Sequence, residues 1–210
     1  MVSTLKELVA EVESAKTLDP EERFICDHLN WQDYEALLTK LEDNSHYRVS
    51  YLDGVLEILS PSSRHEKPKK RLGLLIELFL CKKQIQATPM RSTTLRKQLQ
   101  QAGVEPDESY CIEQEKAIPD LAIEVIVTSG SINKLEIYRR LGVTEVWFWK
   151  SNRLNLYHLR QHTPTQFQET YGYQQIALSE LLPELSIPLL EECTLIPDLI
   201  QAFGIFETTL

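Results

Sequence analysis

The run Leu121-Ala-Ile-Glu-Val-Ile-Val127 limits the available folds more than any other segment of this chain. Apart from Glu124 it is apolar throughout. Such a strand belongs in the middle of a sheet that is covered on both faces. Glu124 would then be buried. An unpaired buried carboxylate is costly, so it requires a cation, a hydrogen-bond donor or a proton. Two readings are open for it: a strand-end glutamate paired with an arginine, or a functional group.

The flanking sequence sets further elements around that strand. Leu5, Leu8, Val9 and Val12 keep helical spacing and predict a helix near the start. Asn30 is a good N-cap, and Trp31, Tyr34, Leu37, Leu38 and Leu41 form the apolar stripe that follows it. Asp43-Asn44-Ser45 breaks the chain. Tyr47–Tyr51 and Val55–Leu59 flank Asp53-Gly54, a strong hairpin turn. A helix is expected from about Pro68 to Phe79, then strand-like pieces at Gln84–Thr88, Thr93–Leu99 and Val104–Ile112. Ser131–Leu141 reads as a helix closed by Gly142. Glu145–Lys150 and Arg153–Arg160 read as strands, Gln161–Thr170 as a polar loop, and Leu178–Phe203 as short helices. This order predicts one mixed α/β (α+β) domain, a central mixed sheet flanked by helices. Residues 1–30 would be an N-terminal helical extension and residues 161–210 a C-terminal extension packed on the same domain.

Charge narrows the function. The 22 Lys and Arg against 31 Asp and Glu give −9 over 210 residues. A protein coated all round with nucleic acid is usually basic, so the total argues against that class but not against a local basic patch. The longest apolar stretch, Leu72–Leu80, is too short for a membrane span and contains Glu77. Lys6, Glu7, Glu11 and Glu13 stand where a signal peptide needs an apolar run. The four cysteines are far apart, which argues against a disulfide framework and a cysteine zinc site. The expectation is a reduced, cytoplasmic protein with no membrane partner.

A second carboxylate, Asp107, follows Pro106 near the start of another strand; it is a turn residue or a partner for Glu124. Alternation puts Asp120, Ala122, Glu124 and Ile126 on one strand face, but Asp120 lies about 13 Å from Glu124 and is better read as the strand start. Lys134 opens the next helix. It is either a solvated helix lysine or an ammonium delivered beside the two carboxylates. Two carboxylates from neighbouring strands can hold a hard cation such as Mg²⁺. The cation would polarise a phosphate and acidify a bound water, with a lysine offsetting charge in the transition state.

Over residues 31–160 the chain resembles the Uma family of endonuclease-like proteins, within the restriction-endonuclease-like PD-(D/E)XK superfamily. The residues that carry the resemblance are Trp31–Leu41, Asp53-Gly54 with Ser60-Pro61, His65 and Pro106-Asp107. Pro119-Asp-Leu-Ala-Ile-Glu-Val125, Lys134-Leu-Glu-Ile-Tyr138 and Gly142-Val-Thr-Glu-Val-Trp147 complete it in order. The resemblance implies a restriction-endonuclease-like core at residues 31–160. It implies a Mg²⁺- or Mn²⁺-dependent DNA endonuclease without a small-molecule cofactor, in which Asp107 and Glu124 bind metal. Lys134 would be the catalytic lysine moved from the strand onto the helix, because the strand position two after Glu124 holds Ile126. Glu77 is the candidate for an acidic residue on the first core helix, or a helix glutamate facing solvent or a neighbour. His65 binds a phosphate, assists the water, or is an exposed loop histidine. A homodimer fits an enzyme that cuts both strands. The alternative is a catalytically degenerate dimeric module that binds nucleic acid or protein.

Between Arg64 and Lys97 stand ten basic residues against two acidic ones. Arg64, Lys67, Lys69, Lys70 and Arg71 are the candidates for phosphate contact. The segment reads equally as a solvated helix face with strand-edge lysines. Trp147 and Trp149 share one strand face, better suited to a core or a dimer interface than to base stacking.

Overall fold

The computed structural model describes residues 21–41, 46–128, 132–160 and 167–209. The helix expected around Leu5–Val12 and the break at Asp43–Ser45 lie outside the described residues, as does most of the expected loop at Gln161–Thr170.

The chain runs β1 (Glu22–Cys26), α1 (Trp31–Lys40), β2 (Arg48–Leu52), β3 (Val55–Ser60), α2 (Ser63–Lys83), β4 (Ala87–Pro89), β5 (Leu95–Lys97) and β6 (Ala102–Val104). It continues with β7 (Glu108–Ile112), β8 (Leu121–Ile126), α3 (Lys134–Leu141), β9 (Glu145–Lys150), β10 (Arg153–Leu159), β11 (Tyr173–Ile176), α4 (Ile187–Leu195) and α5 (Leu199–Thr209). Two sheets form. The larger has the order β11-β10-β9-β8-β7-β4, the smaller β1-β3-β2-β6-β5. Only β8 and β9, joined through α3, pair in parallel; every other pairing among the described residues is antiparallel.

The apolar run around Glu124 forms β8, central in the larger sheet. Leu121, Ile123 and Val125 face α2, α4 and α5, in a core that includes Leu72, Phe79, Leu190 and Phe206. Ala122 faces the other way, toward Ile137, Tyr138 and Leu141 of α3 and Val104 of β6. Trp147 and Trp149 point into the first core, Val146 and Phe148 into the second. A third core lies between α1 and the smaller sheet, around Trp31, Tyr34, Tyr51 and Ile58.

Three local outcomes differ from the sequence expectation. Glu22–Cys26, inside the segment expected to be helical, is a strand paired in register with β3. The helix expected from Pro68 begins five residues earlier and encloses that proline. Pro68 lies near the helix start, where its missing N–H removes a single bond, to the Arg64 carbonyl. The segment Val104–Ile112 is two strands in different sheets. Glu105 belongs to the smaller sheet, its N–H donating to the Val49 carbonyl at 3.2 Å. Asp107 belongs to the larger, its N–H donating to the Ile123 carbonyl at 3.2 Å. Pro106 between them has no N–H to give to either ladder, which makes it a suitable elbow. Among the described residues, no helix is long and apolar enough to cross a membrane.

Candidate active site

The elbow puts Asp107 at the entry to β7. Because Glu108 pairs with Ile123, the register carries Asp107 opposite Glu124. The two carboxylates therefore project from adjacent strands. Both are buried, and Lys134 is partly buried, its side chain 12% exposed.

One oxygen of each carboxylate is engaged. Oδ2 of Asp107 accepts from the Val125 N–H at 2.8 Å and lies 3.1 Å from Nε2 of His65. Oε1 of Glu124 lies 3.3 Å from Nζ of Lys134 and accepts the Tyr138 hydroxyl. Lys134 also donates to Oγ of Ser50 at 2.9 Å. Ser50 is the cross-strand partner of Glu57, a buried carboxylate that accepts the Ile132 N–H at 3.1 Å and approaches Arg23 Nε at 3.4 Å.

Local sequence explains the delivery of Lys134. Asn133 caps α3 by accepting the Glu136 N–H, so Lys134 is its first helical residue. A cation there opposes the helix dipole. Burial also disfavours the ammonium. The carboxylates of Glu124, Glu57 and Asp107 outweigh both and raise its pKa above the usual lysine value. Tyr138 follows one turn later, so both side chains reach the same oxygen of Glu124.

The carboxylates differ in affinity for protons. Burial raises Glu124, and the neighbouring Asp107 charge adds to it against the opposing ammonium of Lys134. Burial acts the same way on Asp107, but His65 and the Val125 amide outweigh it and hold this carboxyl below the usual range. Burial lowers His65, and the Asp107 and Glu66 carboxylates overcome that, raising it to about 9. His65 is fully buried at the start of α2, not exposed in a loop, and its contact with Asp107 is out of line for a hydrogen bond.

Of the remaining sequence candidates, Asp120 sits before β8. It accepts from Lys116 Nζ at 2.7 Å and from the Ile112 N–H at 2.7 Å, away from Glu124. Glu77 is half-buried on α2, and its charge bears on Glu108 and Tyr110. Arg64, Lys67 and Lys70 are exposed on α2, while Lys69 pairs with Glu66 at 3.4 Å. Arg71 turns inward. Its guanidinium donates to the carbonyls of Ile196 at 2.8 Å and Pro197 at 3.1 Å, closing the end of α4. Ser50, Glu57 and Tyr138 are the side chains that the sequence reading did not assign a role. The spacing Lys134-x-x-x-Tyr138 was the available signal for Tyr138.

A protein-family comparison matches residues 31–190 to the Uma2 family, described as "Putative restriction endonuclease". The chain belongs to this family. Its mixed α+β architecture, two sheets and five helices among the described residues, agrees with a restriction-endonuclease-like fold. Membership extends the resemblance past β10 to α4 and points to nuclease chemistry. No curated protein matches the chain.

Families of this type typically use divalent metals, so the donor set bears on the fit. Among the described residues, no group of three or more His, Cys, Asp or Glu side chains is arranged to hold an ion. The available donors are two adjacent carboxylates, each with a second oxygen that accepts no hydrogen bond from the described residues. That set suits a hard cation that keeps most of its waters, as Mg²⁺ does.

Proposed function

We propose that this protein is a Mg²⁺- or Mn²⁺-dependent endonuclease that hydrolyses phosphodiester bonds in DNA. The observation that carries the reading is the apposition of Asp107 and Glu124 with Lys134 Nζ 3.3 Å from Glu124. Asp107 and Glu124 would hold the metal through their remaining oxygens. When bound, the metal supplies a polarised phosphate and a water of lowered pKa. Lys134 stays protonated among three carboxylates, so its role is to orient the water and offset phosphate charge, not to remove a proton. Tyr138 and Ser50 hold Glu124 and Lys134 in place. His65 keeps Asp107 ionised. Two copies acting as a homodimer would cut both strands.

The test is cleavage of supercoiled and linear DNA by the purified chain with Mg²⁺, Mn²⁺ or EDTA. Metal-dependent cleavage should be lost in Glu124→Gln and in Lys134→Met, with circular dichroism unchanged. Cleavage that survives both substitutions overturns the assignment.

One observation favours the second reading, a degenerate dimeric binding module. Ile126 occupies the strand position that carries a polar side chain in an active (D/E)xK site. Calorimetric titration separates the two. Mn²⁺ binding that disappears in Asp107→Asn supports the enzyme, and no binding with or without DNA supports the module.

A further inference from the structure

The connection from β8 to Lys134 is held from the smaller sheet at both of its described ends. Thr128 donates its N–H, at 3.2 Å, and its hydroxyl to Oε1 of Glu21. Ile132 donates its N–H to Oε2 of Glu57 at 3.1 Å. Arg23 lies between the two carboxylates, its Nη2 3.7 Å from Glu21 and its Nε 3.4 Å from Glu57. Both glutamate side chains are only 2% exposed. Strand register lines this group up. Glu57 of β3 is opposite Ser50 of β2 and Ile25 of β1, and Arg23 is the next residue on that face of β1. The other face of these strands sends Val49, Tyr51 and Ile58 into the third core. Three adjacent strands therefore present Arg23, Glu57 and Ser50 to one side, and Ser50 receives the ammonium of Lys134.

We propose that Glu57, braced by Arg23, is a positioning residue for Lys134. It fixes the Ile132 amide two residues before the lysine, and so sets where α3 starts and where Nζ meets Glu124. The consequence for catalysis rests on the endonuclease reading; the hold itself does not. Two arguments favour geometry over stability as the role of this group. Buried ion groups give little net stability, because desolvation offsets most of their attraction. Nη1 of Arg23 is buried with no hydrogen-bond partner among the described residues, so the group is not arranged for best pairing. The start of α3 also needs a hold of its own. The Arg140–Asp53 contact fastens the far end of the helix, about 9 Å along its axis. At the near end Lys134 opposes the helix dipole, and a carboxylate on the preceding amide offsets that.

The test compares the full chain with Glu57→Ala, Glu57→Gln and Arg23→Met. Gln keeps an oxygen for the Ile132 amide, and Ala does not. In hydrogen exchange, the amides of 132–136 should exchange about tenfold faster in Glu57→Ala than in the parent chain. Glu57→Gln should stay near the parent, and the amides of β9 should be unchanged in both. In Mg²⁺-dependent cleavage, kcat should fall about 10- to 100-fold in Glu57→Ala with KM for DNA unchanged, and recover in Glu57→Gln. Arg23→Met removes the brace and leaves the carboxylate, so it should shift both readouts the same way by less. Exchange at 132–136 that stays at the parent rate in Glu57→Ala, or that rises only in step with β9, overturns the proposal. So does parent kcat in Glu57→Ala, or an equal loss in Glu57→Ala and Glu57→Gln. A parent chain that cleaves no DNA defeats the endonuclease reading instead, and the exchange result still decides the hold on Lys134.

Discussion

The guanidinium of Arg140 lies across the carboxylate of Asp53, with Nη1 2.6 Å from Oδ1 and Nη2 2.5 Å from Oδ2. Arg140 closes α3, and Asp53 is the hairpin turn between β2 and β3. The contact fastens α3 along the hairpin, and six residues earlier Lys134 reaches Ser50 of the same hairpin. Nε of Arg140 also holds Glu136 at 2.6 Å, and Nη1 donates to the Gln100 carbonyl at 2.9 Å. Arg140→Ala should therefore lower unfolding free energy by about 1–2 kcal/mol, the worth of a bidentate pair with additional bonds near the surface. Urea denaturation at pH 7 measures it. A loss no larger than that of an exposed lysine substitution would contradict the fastening role.

The same cluster predicts a pH dependence. The hydrogen bond from Arg140 is the main cause that holds the Asp53 carboxyl below its usual range. Burial raises Glu136, and Arg139 and Arg140 outweigh it, so this carboxyl is also lowered. Carboxyls lowered in the folded state stabilise it above the unfolded pKa of about 4, and that stability is lost as pH falls through the folded values. The Tm difference between the parent chain and Arg140→Met should thus be constant from pH 7 to about 5 and shrink below 4. A difference that stays the same from pH 5 down to the acid limit of the folded state would reject this linkage.

Glu124 and Lys134 should couple strongly. Lys134→Met leaves Glu124 buried beside Asp107 without its cation, at a cost of about 3 kcal/mol. Glu124→Gln with Lys134→Met removes the charge as well and should recover part of that loss. A double-mutant cycle should give a coupling energy on the order of 1–3 kcal/mol. Additive effects would mean that the 3.3 Å contact carries no energy.

Gly103 tests the packing beneath the smaller sheet. A Cβ there would stand 2.2 Å from Oη of Tyr34 and 2.6 Å from its Cζ. The ring cannot move aside, because it stacks on Tyr51 at 5.1 Å and meets Trp31 at 5.0 Å. Gly103→Ala should cost about 2–3 kcal/mol. Tyr34→Phe removes a buried hydroxyl that has no hydrogen-bond partner among the described residues, and should be neutral to within about 0.5 kcal/mol. Thermal melts of the two variants should therefore fall far apart.

Much of the fold was legible because it is written locally. The apolar run of β8, the Asp53-Gly54 turn, the Asn30 cap and the Gly142 stop each depend on residues within a few positions of one another. Glu124 stood out for a related reason: a carboxylate in an apolar strand calls for a partner. Asp107 after a proline and Lys134 at a helix start read equally as a turn residue and a solvated lysine, and it was the family resemblance that singled them out.

What the sequence by itself determined is therefore most of the order of elements between α1 and β10, the two faces of β8 and the identity of its buried charge. Tertiary structure alone decided which groups answer that charge. Ser50 stands 84 residues before Lys134, and no local pattern links them. The elbow at Pro106 splits one apparent strand between two sheets, and only then does Asp107 come opposite Glu124. Arg71 was one basic residue in a row until the α4–α5 turn folded back onto it with open carbonyls. In each case the deciding energy is the desolvation of a polar group, and that depends on what packs around it, not on its neighbours in sequence.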